Sequence, residues 1–143
     1  MQLCDVNVLV YAHREDVPDH EQYRTWLEDL INGPEAYGVS DQVLSGFVRV
    51  ATHPRVFDPP SPLEQVLDFV ERIRSQPNAA SLAPGPRHWG LFVELCRNCE
   101  ARGSLVPDAW LAALAIESGS EWITTDRDFS RFKGLRWRHP LAA

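Results

Sequence analysis

Between Leu105 and Phe129 the chain reads LVPDAWLAALAIESGSEWITTDRDF, and no other stretch restricts the fold as much. Pro107 suits a first helical turn, where its missing N–H costs nothing, and Ala109 and Leu111 to Ile116 are helix formers or core-sized residues. Gly119 stops that helix, and Trp122 to Thr125 follow as a short β-rich run. Asp126 and Asp128 therefore fall just past the carboxyl end of a strand, while Asp108 sits in the first turn of the preceding helix. In an open α/β sheet the carboxyl ends of the strands border the ligand crevice, so acids from these two places can meet there. Three carboxylates converging without basic partners suit a hard divalent cation with oxygen ligands.

The same alternation runs through the rest of the chain. Gln2 to Cys4 read as a strand that leads to Asp5 and feeds a short apolar helix through Ala12, so Asp5 takes the same strand-end position as Asp126. An acid there is also a common helix cap. A polar connection from His13 to Asp19 precedes a helix over Glu21 to Ile31, whose core face is Tyr23, Trp26, Leu27 and Leu30. Ala36 to Val39 form a second strand, and Ser40 caps a helix from Asp41 to about Thr52. Ser61 to Glu64 carry a capping-box signature for a helix ending near Arg74. Ala79 to Ala83 form a weak third strand. The spacing then predicts a helix over His88 to Ala101, with Trp89, Leu91, Phe92, Leu95 and Cys96 facing inward. Phe129 and Phe132 anchor a helical turn, and Leu135 to Arg138 add an edge strand. Short strands separated by helices imply an α/β, three-layer arrangement with a mostly parallel central sheet flanked by helices, in a single domain over residues 1–143.

Charge narrows the function. A net charge of -6 argues against indiscriminate nucleic-acid binding. The distribution is uneven: residues 1–86 hold 6 Lys and Arg against 13 Asp and Glu, whereas residues 87–143 hold 8 against 7. Arg127, Arg131, Lys133, Arg136 and Arg138 form the densest basic stretch, directly after the acids, which reads either as a solvated face or as a set of candidate phosphate contacts. No apolar run approaches a membrane span and no basic-then-apolar leader opens the chain, which points to the cytoplasm and away from membranes. Cys4, Cys96 and Cys99 read as reduced thiols, since CRNC lacks the second ligand pair of a structural zinc site. The five histidines are scattered and read as surface or local hydrogen-bonding residues, and no nucleophile elbow or phosphate-binding glycine motif is present.

Taken together, DVNVLVYAHRED, VLSGFVRVATHPRVF, VPDAWLAALAIESG and TTDRDFSRFKGLRW, in this order along nearly the whole chain, resemble the PIN-domain family and its VapC-type toxins. The resemblance implies a parallel sheet between helices and a Mg²⁺- or Mn²⁺-dependent endoribonuclease. It also implies a homodimer and inhibition by a cognate VapB-type antitoxin. Position by position, Asp5, Asp108 and Asp126 match the family's metal-site acids, with Asp128 an additional catalytic acid and Asn7 an auxiliary. One departure stands out. The family commonly has Glu where this chain has Gly46, which leaves a degenerate domain that binds RNA or a protein without cutting as the alternative reading. Asp41 lies five positions earlier, turned about 140° away on the helix, and Glu117 lies about 13 Å along the helix from Asp108, so neither replaces the missing acid. A haloacid-dehalogenase-like phosphatase would need a second Asp at Asn7. A receiver domain would need a late-strand lysine, but the chain's only lysine is Lys133.

Overall fold

Five very short strands carry the sheet, each long enough to place one or two side chains in the core. In the computed structural model, which describes residues 1–142, they are β1 (Gln2–Cys4), β2 (Tyr37–Val39), β3 (Ala79–Ser81), β4 (Glu121–Ile123) and β5 (Trp137–Arg138). Their order is β3-β2-β1-β4-β5 and every pairing is parallel. The helices are α1 (Val6–His13), α2 (His20–Asn32), α3 (Asp41–Ala51), α4 (Leu63–Arg74), α5 (His88–Cys99) and α6 (Leu105–Glu117), with a 3₁₀ helix at Arg127–Arg131. Strands covered on both faces have little use for polar side chains. Leu3, Cys4, Tyr37, Val39, Trp122 and Ile123 are accordingly buried.

The strand order fixes the layers. From β1 the chain steps outward to β2 and β3, then returns to β4 on the other side of β1. Right-handed crossovers place α1 to α4 on one face of the sheet and α5 and α6 on the other. Helix packing agrees: α1 rests on α2 and α3, α3 on α4, and α5 on α6. β1 and β4 are thus neighbours whose onward connections leave toward opposite faces, which opens a crevice at their carboxyl ends.

Three local expectations need correction. Ser61 does not cap α4: Pro62 holds the cap position without a side-chain bond, and the Ser61 hydroxyl instead meets His13 Nε2 and Arg14 Nη1, both at 3.2 Å. Trp89 is 64% exposed while His88 is buried, because the inward stripe of α5 runs through His88 and Leu95 and Trp89 lies about 100° off it. His20 is buried as well. It and His88 give their ring N–H to the carbonyls of Tyr11 and Trp110, each at 2.9 Å, so both are satisfied core histidines. The three cysteines are free thiols, and burial pushes Cys4 up to about 12.

Candidate active site

The crevice between β1 and β4 is built from residues that immediately follow the two strands. Asp5 is the N-cap of α1, its Oδ1 accepting from Val6 N at 2.7 Å, and its backbone N–H donates to Ile123 O at 2.8 Å. Across the strand pair, Thr124 is fully buried, and its hydroxyl donates to Asp5 Oδ2 at 2.7 Å. The same oxygen of Thr124 accepts from Asp126 N at 3.0 Å and from Asn7 Nδ2 at 3.4 Å. Asn7 Nδ2 also donates to Asp5 Oδ2 at 3.3 Å, while its Oδ1 accepts from Thr125 N at 3.4 Å. One buried hydroxyl therefore links the acid after β1 to the chain that carries the acids after β4.

Asp126 is itself the cap of the 3₁₀ helix, with Oδ1 accepting from Asp128 N at 2.9 Å. Capping and site membership coexist at Asp5 and Asp126, since a carboxylate that caps through one lone pair keeps others free. Asp108 lies in the first turn of α6, half-buried. Burial first, and then the charges of Asp5, Asp126 and Asp128, push its carboxyl up to about 6. Burial also raises Asp5, with Asp126 adding repulsion and the Thr124, Val6 and Asn7 donors opposing. Among the described residues, none of these four acids forms a salt bridge.

Such a donor set fits a hard cation: oxygen ligands only, mutually repelling, with no arginine or lysine to neutralise them. As the side chains stand, no three His, Cys, Asp or Glu groups among the described residues close around a single point. A Mg²⁺ ion retains several waters and needs only one or two direct carboxylates, so an open arrangement of acids is compatible with it. Asp5, Asp108 and Asp126 are the residues that could hold the ion.

The other candidates divide. Arg127, Arg131 and Lys133 are exposed on the 3₁₀ helix and the turn after it. Arg136 sits at the opposite end of the strands, its guanidinium on Gly119 O at 2.8 Å, and Arg138 is held by Glu121 at 3.3 Å. The basic run is contiguous in sequence but travels the length of the sheet. Asp41 pairs with Arg74 at 3.2 Å, and Glu117 accepts from Gly85 N and Arg87 N at 2.7 and 2.8 Å. Gly46 faces α1, where a Cβ would stand 3.0 Å from Val6 Cγ2, so the glycine permits the close approach of α3 to the residue beside Asp5. Sequence reasoning missed Thr124, treating it as a β-former. Its signal was a hydroxyl residue two positions before a strand-end acid.

Comparison with known proteins identifies the family of this fold. The PIN domain pattern matches residues 3–135. The chain is 48% identical to ribonuclease VapC43 of Mycobacterium tuberculosis over 97% of its length and 95% of that protein, and 41% identical to ribonuclease VapC25 over 98% and 99%. Its fold is similar to the structure of VapBC2 from Rickettsia felis bound to a promoter DNA fragment, with a TM-score of 0.71 at 18% identity, covering 96% of this chain and 97% of that one. The chain belongs to the PIN-domain family, among its VapC-type members.

Proposed function

We propose that the protein is a metal-dependent endoribonuclease, the toxin of a toxin–antitoxin pair, acting in the cytoplasm on RNA phosphodiester bonds. The observation that carries this reading is the group of mutually repelling acids at the β1–β4 crevice, without salt-bridge partners among the described residues, with Thr124 joining the Asp5 carboxylate to the backbone of Asp126. That its relatives VapC43 and VapC25 are named ribonucleases supports the substrate class. Asp5, Asp108 and Asp126 hold the ion, Mg²⁺ or Mn²⁺. When bound, it supplies Lewis-acid polarisation of the phosphodiester and a more acidic attacking water. Asp5 is kept in one orientation by three donors, Val6 N, Thr124 and Asn7. Asp128, exposed on the 3₁₀ helix, would take the proton of the attacking water. Without a cation the same acids repel RNA, which makes metal part of substrate binding. Arg127 and Arg131 offer planar phosphate contacts next to the acids. The VapB-type antitoxin and a homodimer complete the proposal.

Incubation of antitoxin-free protein with total cellular RNA in Mg²⁺, Mn²⁺ or chelator, alongside Asp126→Asn, tests it. Discrete cuts are expected only from wild type with metal. Equal cutting by folded Asp126→Asn, or cutting in chelator, overturns the assignment. Gly46 favours a second reading, a domain that binds RNA or its partner without cleaving it. RNA retention with no turnover under either metal selects that reading.

A further inference from the structure

The chain has five tryptophans, and their surroundings differ enough to single one out. Trp122 is fully buried against Phe129, 5.3 Å between centroids. Trp89 and Trp110 belong to an aromatic cluster with His88 and Phe92 on α5 and α6. Trp26 lines a cleft at the amino end of the strands together with Asp29 and Glu35, which would repel a phosphate chain. Trp137 alone combines an open cleft with positive charge. That cleft, about 540 Å³, is bounded by Arg127, Ser130, Trp137, Arg138 and His139. Among the described residues, no acidic side chain lines it.

Its position follows from the sheet register. β5 pairs with β4 so that Arg138 lies opposite Ile123, and Thr124 N donates to Arg138 O at 3.1 Å. Thr124 is the residue that bonds Asp5, and neighbouring strands are about 4.8 Å apart, so the cleft opens one strand over from the acids. Arg127 lies both directly after Asp126 and on the cleft wall. Glu121 holds Arg138 through Nε and Nη2 and so pairs its charge, which leaves Arg127 as the cleft's exposed cation. His139 Nδ1 accepts from Leu141 N at 3.1 Å, which fixes that ring. The remaining need of such a cleft is a flat, polarisable, negatively tethered ligand. An unpaired nucleobase with its phosphate meets that need, since base stacking on an aromatic face tolerates any base while arginines neutralise the backbone.

We infer that the Trp137–His139 cleft is a nucleotide subsite that seats one unpaired RNA base beside the cleavage centre, with Arg127 on the phosphate leading from the base to the acids. The inference rests on the ribonuclease reading and names the part of the molecule that selects single-stranded or looped RNA. Duplex RNA, whose bases are stacked inside, cannot use the cleft.

Fluorescein-labelled single-stranded 12-nucleotide RNAs of mixed sequence test it by anisotropy with Mg²⁺ present. All proteins carry Asp128→Asn, which keeps the three metal-site acids and removes the proton acceptor, so that the probe stays intact. Trp137→Ala is expected to weaken binding about tenfold, in the range that base–aromatic stacking contributes, and Trp137→Phe to recover most of it. RNAs with an abasic site moved along the probe should show the same loss at one position in the parent protein and no added loss in Trp137→Ala. Circular dichroism and thermal melting identify a variant that failed to fold, in which case Trp137→Phe and Arg127→Ala with the abasic series carry the test. Binding within twofold of the parent by folded Trp137→Ala, or an abasic penalty unchanged by that substitution, overturns the subsite while leaving the ribonuclease reading intact. Loss of antitoxin capture without loss of RNA binding assigns the cleft to the protein partner and also overturns it. If the wild-type chain neither binds nor cuts any RNA with metal, the parent reading fails and the subsite fails with it.

Discussion

The two ends of α1 hold opposite electrostatic arrangements on one eight-residue helix. At its amino end, Asp5 is buried with neutral donors only, and its carboxyl is raised by burial with repulsion from Asp126 added. At its carboxyl end, Arg14 is buried with its guanidinium shared between the Asp16 carboxylate, Pro59 O at 2.8 Å and Ser61 Oγ at 3.2 Å, over the Phe57 ring at 4.2 Å. There the partner acid is lowered, because the arginine bonds it. Both charges agree with the helix dipole, acid at the start and base at the end. Only one of them is neutralised by the protein. The paired end secures the loop before α4, and the unpaired end stores repulsion that a cation can relieve.

The contrast is broken most severely by Arg14→Ala. Removing the guanidinium leaves the Pro59 carbonyl and Ser61 without their donor, and the expected cost is about 2–4 kcal/mol by urea denaturation. RNA cleavage per folded molecule should not change; a fall in specific activity at full folding would tie this end to the chemistry. Thr124→Val acts on the other end. It keeps shape and burial but removes the donor to Asp5 and the acceptor for Asp126 N, and cleavage should drop about 10–100-fold, the usual effect of losing a group that orients a ligand. Stability should shift far less than activity, and the reverse pattern would make Thr124 a packing residue only.

Much of this was legible in the sequence, for identifiable reasons. Strand-end acids, the Pro107 helix start and the Gly119 stop, where φ is +67°, locate the crevice from the sequence alone. Arg14 was not legible, because its partners at Pro59 and Ser61 lie 45 and 47 residues away and a charged residue after a helix reads as polar connection. Ser61 misled in the complementary way: its cap pattern was genuine, but Arg14 and His13 compete for the hydroxyl. The basic run also read as one surface, although the chain carries Arg136 to the amino end of the strands.

A smaller effect reports, through pH, the repulsion around the acid end of α1, felt by Asp108 on α6. Asp108 has an ordinary value of 3.8 and is raised to about 6 in the fold. Between those values the folded chain holds more protons than the unfolded one, so in chelator its stability falls as pH rises through this window. The expected loss is about 1 kcal/mol once solvent screening of a half-buried carboxyl is allowed for. Asp108→Asn should flatten the slope and raise stability at pH 7.5, and an unchanged slope would remove Asp108 from the repelling group. Gly46→Ala should matter least. Its gain in helix propensity, about 1 kcal/mol, opposes the shift that Val6 must make from a Cβ at 3.0 Å, leaving stability within about 1 kcal/mol. A disproportionate fall in cleavage would show that the Val6 contact sets the position of Asp5.

The claim that the acids wait for a cation is tested most directly by thermal melting against Mn²⁺ concentration at pH 7.5, for wild type and Asp5→Asn. Wild type should gain stability progressively, by about 2.7 kcal/mol at one hundred times the dissociation constant. Asp5→Asn, folded and already relieved of one buried charge, should gain much less. Wild-type melting indifferent to Mn²⁺, or the same gain in Asp5→Asn, would contradict a metal centre at the β1–β4 crevice.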